Sequence, residues 1–359
     1  MMKLIRTIHL WLSIPFGLII CIMCVSGAFL VFERDFGVKL ASRVEAGQQE
    51  PLPMAQLLAT AAALPEAKAG IKGVTVYPDP QQAYKFSLTK PAMAAVLVDQ
   101  YTGQSLGKYE RPKVFTFMSS AHRRLWDKSK MQGNTTGFGR LIIGITTIML
   151  VLIVATGLIL WYPKNKIQAK HSFTVPTGKG KFAFWHALHS VGGFWTTLIL
   201  LICAFTGLTF SFPWAKNATY AVLGAEAPKK GGSTPSEEPA SYVAWQKAFD
   251  AVKAQNPGRE IRVYEGRIDV MHTGWGNRMA YDSYVFDPES GSLTGIKSYD
   301  DQDRSTHIKG WIYSLHTGSW GQMPVKLLYA LLMIISFSLP LTGYYLWIHR
   351  LRSRRHKKS

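Results

Sequence analysis

From Phe184 to Phe212 the chain reads FWHALHSVGGFWTTLILLICAFTGLTFSF, and its only ionisable side chains besides Cys203 are two histidines at the start, His186 and His189. A helix of that length reaches across the hydrocarbon core of a bilayer, about 30 Å at 1.5 Å per residue. Three further runs share this character: roughly Ile8 to Phe32, Leu141 to Tyr162 and Val325 to Ile348. A chain with four such runs is expected to form a four-helix transmembrane bundle.

The net charge of +19 would point towards nucleic acid in a soluble protein. Its distribution argues for a topology signal instead, so no nucleic-acid partner is expected. The short segments at one side of the runs are purely basic. They hold Lys3 and Arg6; Lys164, Lys166, Lys170, Lys179 and Lys181; and Arg350, Arg352, Arg354, Arg355, Lys357 and Lys358. The positive-inside rule then places both termini and the 163–183 loop in the cytoplasm. The N-terminal run has the alternative form of a cleaved signal peptide, with Lys3 and Arg6 as its basic region. Its length and its likeness to the run at Phe184 favour retention as a helix. Cys21, Cys24 and Cys203 all fall inside predicted spans, where they read as small buried hydrophobes, and disulfides are not expected in the outer segments.

Between the spans the pattern alternates. The expected order is a first helix at 1–32, an outer α+β domain at 33–113, a membrane-surface segment at 114–140 and a second helix at 141–162. The cytoplasmic loop 163–183 leads to a third helix at 184–212. A linker and second outer α+β domain occupy 213–310, a second surface segment 311–324, a fourth helix 325–348 and a basic tail 349–359. In the first outer domain MAQLLATAAAL reads as a helix and GVTVYP, AYKFSLT, AAVLVD and SLGKYE as strands. In the second, PASYVAWQKAFDAV reads as a helix, and REIRVYE and AYDSYVFD as strands. Both contain a D-x3-G turn, at Asp99–Gly103 and Asp287–Gly291. The fold expected is therefore an all-α membrane bundle bearing two α+β domains, with the halves duplicated as a parallel repeat.

The repeat sorts the histidines. His9 precedes Ser26-Gly27 by 17 residues (26 − 9), and His189 precedes Thr206-Gly207 by 17 (206 − 189). His122-x3-Trp126 matches His316-x3-Trp320. A twofold axis along the membrane normal would make His9 face His189 at the inner mouths, and His122 face His316 at the outer ones. Two facing imidazoles at each surface are what two bis-histidine haems require. His186 competes with His189 for the inner site but lacks the shared offset. Gly192 and Gly193 after His189, and Ser13 and Gly17 after His9, would leave room for a macrocycle. Arg6, Lys181, Arg123 and Arg124 could pair with propionates. Trp11, Trp126, Trp185 and Trp320 could pack on the rings. The Ser/Thr-Gly pairs read as close helix-packing points. Arg262, Arg267, Arg278, Tyr281 and Tyr284 are candidates to line an acceptor site, and His272 and His307 could touch a substrate.

At these residues the chain resembles the PepSY-associated transmembrane family. The shared features are I-H-L-W, L-H-S-V-G-G, H-R-R-L-W, L-H-T-G-S-W and the T-G-x-x-L-W endings of the even spans. The resemblance implies a bacterial inner-membrane protein with two periplasmic PepSY-like domains and two haem b groups. It carries ligand roles over to His9, His189, His122 and His316. It also implies a ferric-siderophore reductase of the FoxB type with membrane lipid around it, and electron transport across the membrane then calls for a cytoplasmic or quinol electron donor. The longer Lys128–Gly137 stretch departs from the matching half. Two other functions fit the same motifs: a haem b membrane subunit of another periplasmic redox system, and a cofactor-free PepSY membrane anchor that binds or regulates a partner. No GxGxxG or P-loop signal points to a nicotinamide, flavin or nucleotide domain in the chain itself.

Overall fold

The computed structural model describes residues 1–37, 42–46, 49–91, 94–129, 137–163, 165–228 and 239–355. In chain order the helices are α1 Met2–Leu30, α2 Met54–Ala62, α3 Lys113–Arg124, α4 Phe138–Trp161, α5 Lys166–His171, α6 Lys181–Ser211, α7 Pro213–Val222, α8 Tyr242–Gln255, α9 Arg304–Thr317 and α10 Gln322–Arg355. The strands are β1 Ile71–Val76, β2 Tyr84–Leu88, β3 Ala95–Val98, β4 Ser105–Lys108, β5 Ile261–Tyr264, β6 Arg267–Met271, β7 Tyr281–Phe286 and β8 Leu293–Lys297.

The chain divides into two compact units. The first holds Met1–Phe32, Lys113–Gly224 and Leu315–Ser359. Its helices α1, α4, α6 and α10 are long and apolar enough to cross a membrane, and each carries a stripe of small or apolar side chains to its neighbours. α1 packs on α4 and α10, and α6 packs on the same two, so α1 and α6 stand on one diagonal of the bundle. Contact is closest at glycines. A Cβ at Gly17 would stand 2.6 Å from the Tyr344 hydroxyl, and one at Gly144 would stand 2.4 Å from the Phe212 ring. Small residues bring backbones together in this way where no water drives association. Pro15 lies inside α1 and Pro340 inside α10, tolerated because neighbouring helices can satisfy the freed backbone groups.

The second unit holds Glu33–Pro112 and Ala225–Ser314. Two separate α+β domains are expected from sequence; instead the unit contains one eight-stranded antiparallel sheet of order β4-β3-β2-β1-β5-β6-β7-β8. The two halves join where β1 meets β5, through Val74↔Val263, Thr75↔Arg262 and Val76↔Ile261. The cause is the exposed edge each four-stranded sheet would otherwise present, since unpaired backbone groups seek a partner strand. One face buries Val74, Phe86, Val96, Val263, Ile268 and Phe286 against α2 and α8, in a core drawn from both halves. Ala55 N–H donates to Gln246 Oε1 at 3.0 Å, tying α2 to α8. Ser241 caps α8 by accepting from Ala244 N–H. The strand β6 was hidden in the sequence by its short run; the signal for it is Glu265-Gly266, a tight turn with Gly266 at φ +66°.

Trp245 is fully buried, and its indole N–H donates to Glu265 Oε2 at 2.6 Å. Trp245→Ala should destabilise the sheet unit by about 3–5 kcal/mol, read as faster limited proteolysis of residues 33–112 and 239–314. An unchanged cleavage rate would show that the shared core is not what holds the halves together.

Candidate functional site

The four histidines singled out by their spacing come together in two pairs. The His9 and His189 ring centroids lie 6.3 Å apart at an interplanar angle of 86°. Those of His122 and His316 lie 6.1 Å apart at 66°. His9 sits on α1 and His189 on α6, across the bundle diagonal. His122 ends α3 and His316 ends α9.

Each imidazole rests in the same kind of socket. Nδ1 of His9 meets the Ile153 carbonyl at 3.1 Å and Thr156 Oγ1 at 3.1 Å. Nδ1 of His189 meets the Leu339 carbonyl at 3.0 Å and Thr342 Oγ1 at 2.9 Å. For His122 the partners are the Met23 carbonyl at 3.0 Å and Ser26 Oγ at 3.1 Å. For His316 they are the Cys203 carbonyl and Thr206 Oγ1, the latter at 2.9 Å. In every case the hydroxyl follows the carbonyl by three residues and a glycine follows by four. A Cβ on Gly157, Gly343, Gly27 or Gly207 would stand 3.2, 3.5, 3.2 or 3.4 Å from the Cε1 of its histidine. The Ser/Thr-Gly pairs are therefore histidine seats, which corrects their reading as simple helix-packing points.

The sockets fix the tautomer. A carbonyl can only accept, and each hydroxyl already donates to its own helix: Thr156 to Leu152, Thr342 to Ser338, Ser26 to Ile22 and Thr206 to Ile202. Nδ1 must carry the proton, which leaves Nε2 as a free lone pair. No hydrogen bond to these four Nε2 atoms is found among the described residues. Two imidazoles sharing one metal ion, at about 2.0–2.1 Å per bond, put their centroids roughly 6–6.5 Å apart. Both pairs match that spacing. Among the described residues no cluster of three or more His, Cys, Asp or Glu could hold a metal ion, so each donor set is two imidazoles, as a bis-histidine haem needs.

The neighbours sort less uniformly. Gly193 has open space where a Cβ would go, in line with room beside His189. Gly17 and Gly192 do not offer such room: Tyr344 fills the first, while Ile335 and Leu339 lie against the second. Ser13 donates its hydroxyl back to the His9 carbonyl. The aromatic ring beside His316 is Phe210, at 5.3 Å, which sequence spacing had not singled out. Trp126 packs on Phe117 and Trp185 on Phe184, while Trp11 is exposed. Arg123 acts electrostatically on both His122 and His316. Arg124 donates to Ser120. Arg6 and Arg350 lie close to His186, which lines a cavity of about 460 Å³ with His171, Lys179, Phe182 and Arg350. His186 is thus beside the inner pair and outside it.

His272 and His307 hold the sheet unit together: His272 Nε2 lies 2.9 Å from Asp282, and His307 stacks on Tyr299 at 4.2 Å. Tyr284 is buried on the helix-covered face and accepts from Asn256 Nδ2 at 3.0 Å, so it lines no open site. Most of the longer stretch after Lys128 lies outside the described residues. Its start is anchored: Asp127 accepts from Ser129 N–H and Gly139 N–H, both at 2.7 Å, tying the end of α3 to the start of α4.

A family model described as the PepSY-associated TM region matches residues 6–350, nearly the whole chain. Comparison with curated proteins finds no match.

A Cβ at Gly139 would lie 1.9 Å from the Arg124 carbonyl oxygen, a backbone atom that cannot rotate away. Gly139→Ala should therefore push α3 off its seat, moving His122 and lowering the melting midpoint of the purified protein by several degrees, about 1–3 kcal/mol. Gly178→Ala, with nothing within 4 Å, should leave the midpoint unchanged. Equal effects at the two positions would remove Gly139 from the positioning of His122.

Proposed function

The chain belongs to the PepSY-associated TM region family, and from its four seated histidines we propose a di-haem b electron-transfer protein of the bacterial inner membrane. Its acceptor is a ferric siderophore in the periplasm, and its donor is a cytoplasmic reductant or a quinol. In the net step the chelated ferric ion gains one electron and leaves as ferrous iron, which hard oxygen ligands hold less tightly. The basic segments at one side of the bundle support the orientation, with both termini cytoplasmic and the sheet unit periplasmic.

The observation that carries this reading is the pairing of neutral imidazoles at bond-compatible distance, each with Nδ1 committed and Nε2 unengaged. Bound haem supplies the one-electron exchange that these side chains lack. His9 and His189 would hold the inner group and His122 and His316 the outer one. The Nδ1–H bonds orient each ring and make Nε2 a stronger donor. Arg6, Arg123 and Arg124 would supply the cations that pair with propionates. The apolar bundle would keep water from both sites. A duplicated, parallel arrangement of the halves is supported by the four matching sockets and by a strand order symmetric about the β1–β5 pair.

An absorption spectrum of the detergent-purified protein tests this directly. A Soret band is expected, with half its intensity lost in His9→Ala or His189→Ala and the other half in His122→Ala or His316→Ala. Double variants within a pair should lose no more than the single ones. No band, even after added haem, would sink the electron-transfer reading and leave a cofactor-free membrane anchor. If the reduced protein needs a second protein before any ferric chelate reoxidises it, the chain is the membrane subunit of a larger redox system.

A further inference from the structure

The sheet face opposite α2 and α8 gathers cations that the described residues do not balance. One cross-strand row runs Lys85, Thr75, Arg262, Asp269 and Ser283, from β2 to β7. Glu260 lies on the same face two residues before Arg262, and Arg34 reaches it from the short π-helix Glu33–Gly37. Arg262 Nη2 meets Glu260 Oε1 at 2.6 Å, and Arg34 Nη2 meets Oε2 at 3.3 Å. Arg278 acts on this same group, within the fields of Arg34, Glu260, Asp35 and Arg262. Asp269 is already matched by Arg267 at 3.1 Å.

Among the described residues four cations, Arg34, Arg262, Arg278 and Lys85, therefore face two carboxylates, Glu260 and Asp35, for a net +2 (4 − 2). Burial and the two nearest guanidinium groups pull in opposite senses on Glu260, and Arg34 with Arg262 win, holding its carboxyl below the ordinary value. Two other members are held below their ordinary values. Burial and then Arg34 lower Arg278, and burial and then Arg262 lower Lys85. The only hydrogen bond found for the Arg278 guanidinium among the described residues goes to the His272 carbonyl, at 3.4 Å. Lys85 Nζ lies over the Tyr109 ring, 4.1 Å from its centroid. Half-buried cations without matching anions are what an oxygen-rich anionic ligand would satisfy.

Two residues tied to the cluster lie close in sequence to elements of the other unit. Arg34 follows the end of α1 by four residues (34 − 30). The Arg278 backbone N–H donates to Ser314 Oγ at 2.9 Å, and Ser314 precedes His316 on α9 by two residues (316 − 314).

We propose that this seam between β1 and β5 is the docking site for a ferric chelate bearing free carboxylates, an anionic substrate class rather than a neutral or cationic hydroxamate. The inference rests on the function proposed above, and it names the acceptor of that same reaction. Residues of both halves build the site, which explains why one half alone could not supply it.

Gallium(III) citrate tests the site without turnover, because it mimics ferric citrate in charge and shape and does not accept the electron. Titrated into the full-length oxidised protein in detergent, it should bind saturably and weaken steeply with salt. Arg278→Gln and Lys85→Gln should each weaken binding about tenfold or more, with unchanged melting midpoints and an unchanged Soret band. Citrate alone and a cationic gallium trihydroxamate should bind at least about tenfold more weakly. The inference is overturned if gallium citrate does not bind, if the trihydroxamate or citrate alone binds as well, or if both variants bind normally. Binding without any Soret band would leave the site standing and remove the electron-transfer function. Reduced haem that is reoxidised by ferric trihydroxamate but not by ferric citrate would do the reverse.

Discussion

The hydrogen bond from a histidine Nδ1–H to a helix carbonyl governs the membrane unit. In an α-helix that carbonyl already accepts from the amide four residues on, so only its second lone pair is open, and reaching it means coming close to the next turn. The residue whose Cβ would stand in the way is the one four positions later, which is glycine in all four sockets. The residue three positions later bears a hydroxyl that donates backwards and can receive the same Nδ1–H. Hydroxyl and glycine are thus one device: the glycine admits the ring and the hydroxyl completes its donor. In an apolar bundle an unsatisfied imidazole N–H would be costly, so the device fixes each ring and its tautomer at once.

This device gives the 17-residue offset a different meaning from the one that made it noticeable. On α1 it separates His9, a member of one pair, from Ser26-Gly27, the seat of His122 in the other. On α6 it separates His189 from Thr206-Gly207, the seat of His316. The offset therefore measures how far apart the two pairs lie along the diagonal helices, about 25 Å. The four helices and the pairing of His9 with His189, not His186, were legible, because apolar length and repeated spacing are local signals. The seat of each histidine was not, because it lies on another helix, and only packing tells that Thr156 serves His9 or that Thr342 serves His189. The same limit explains Gly17 and Gly192: small residues at a helix surface admit either a neighbour or a ligand, and Tyr344 and Leu339 take the space.

The sheet shows the same limit at a larger scale. Alternation in GVTVYP, AYKFSLT and AAVLVD identified strands in the first half, and the helix before them, from side chains a few residues apart. That β1 would pair with β5, some 190 residues later (261 − 71), follows from no local pattern. It follows from two open edges and two helices whose apolar faces need a common floor. Tyr284 shows what register does to a site reading: its pairing with Ile268 puts it on the helix-covered face, while Arg262, in register with Asp269, faces the other way. A polar residue on a strand is a candidate for ligand contact only once its face is known.

The two joins have a shared consequence for how the halves depend on one another. Each histidine is seated within its own half, His9 by α4 and His122 by α1, His189 by α10 and His316 by α6. Each pair, however, takes one ring from either half. A half of the chain can orient a donor but cannot complete a two-donor set. In the sheet unit the core under α2 and α8, and the cation cluster around Glu260, likewise draw from both sides of the β1–β5 seam. Orientation is therefore local and completion is not. An alteration within one half that leaves its own socket intact can still disable both pairs if it loosens the packing that brings the rings to about 6 Å. The sites are consequently as stable as the association of the halves, which is held at the β1–β5 seam and where α1 packs on α10 and α4 on α6.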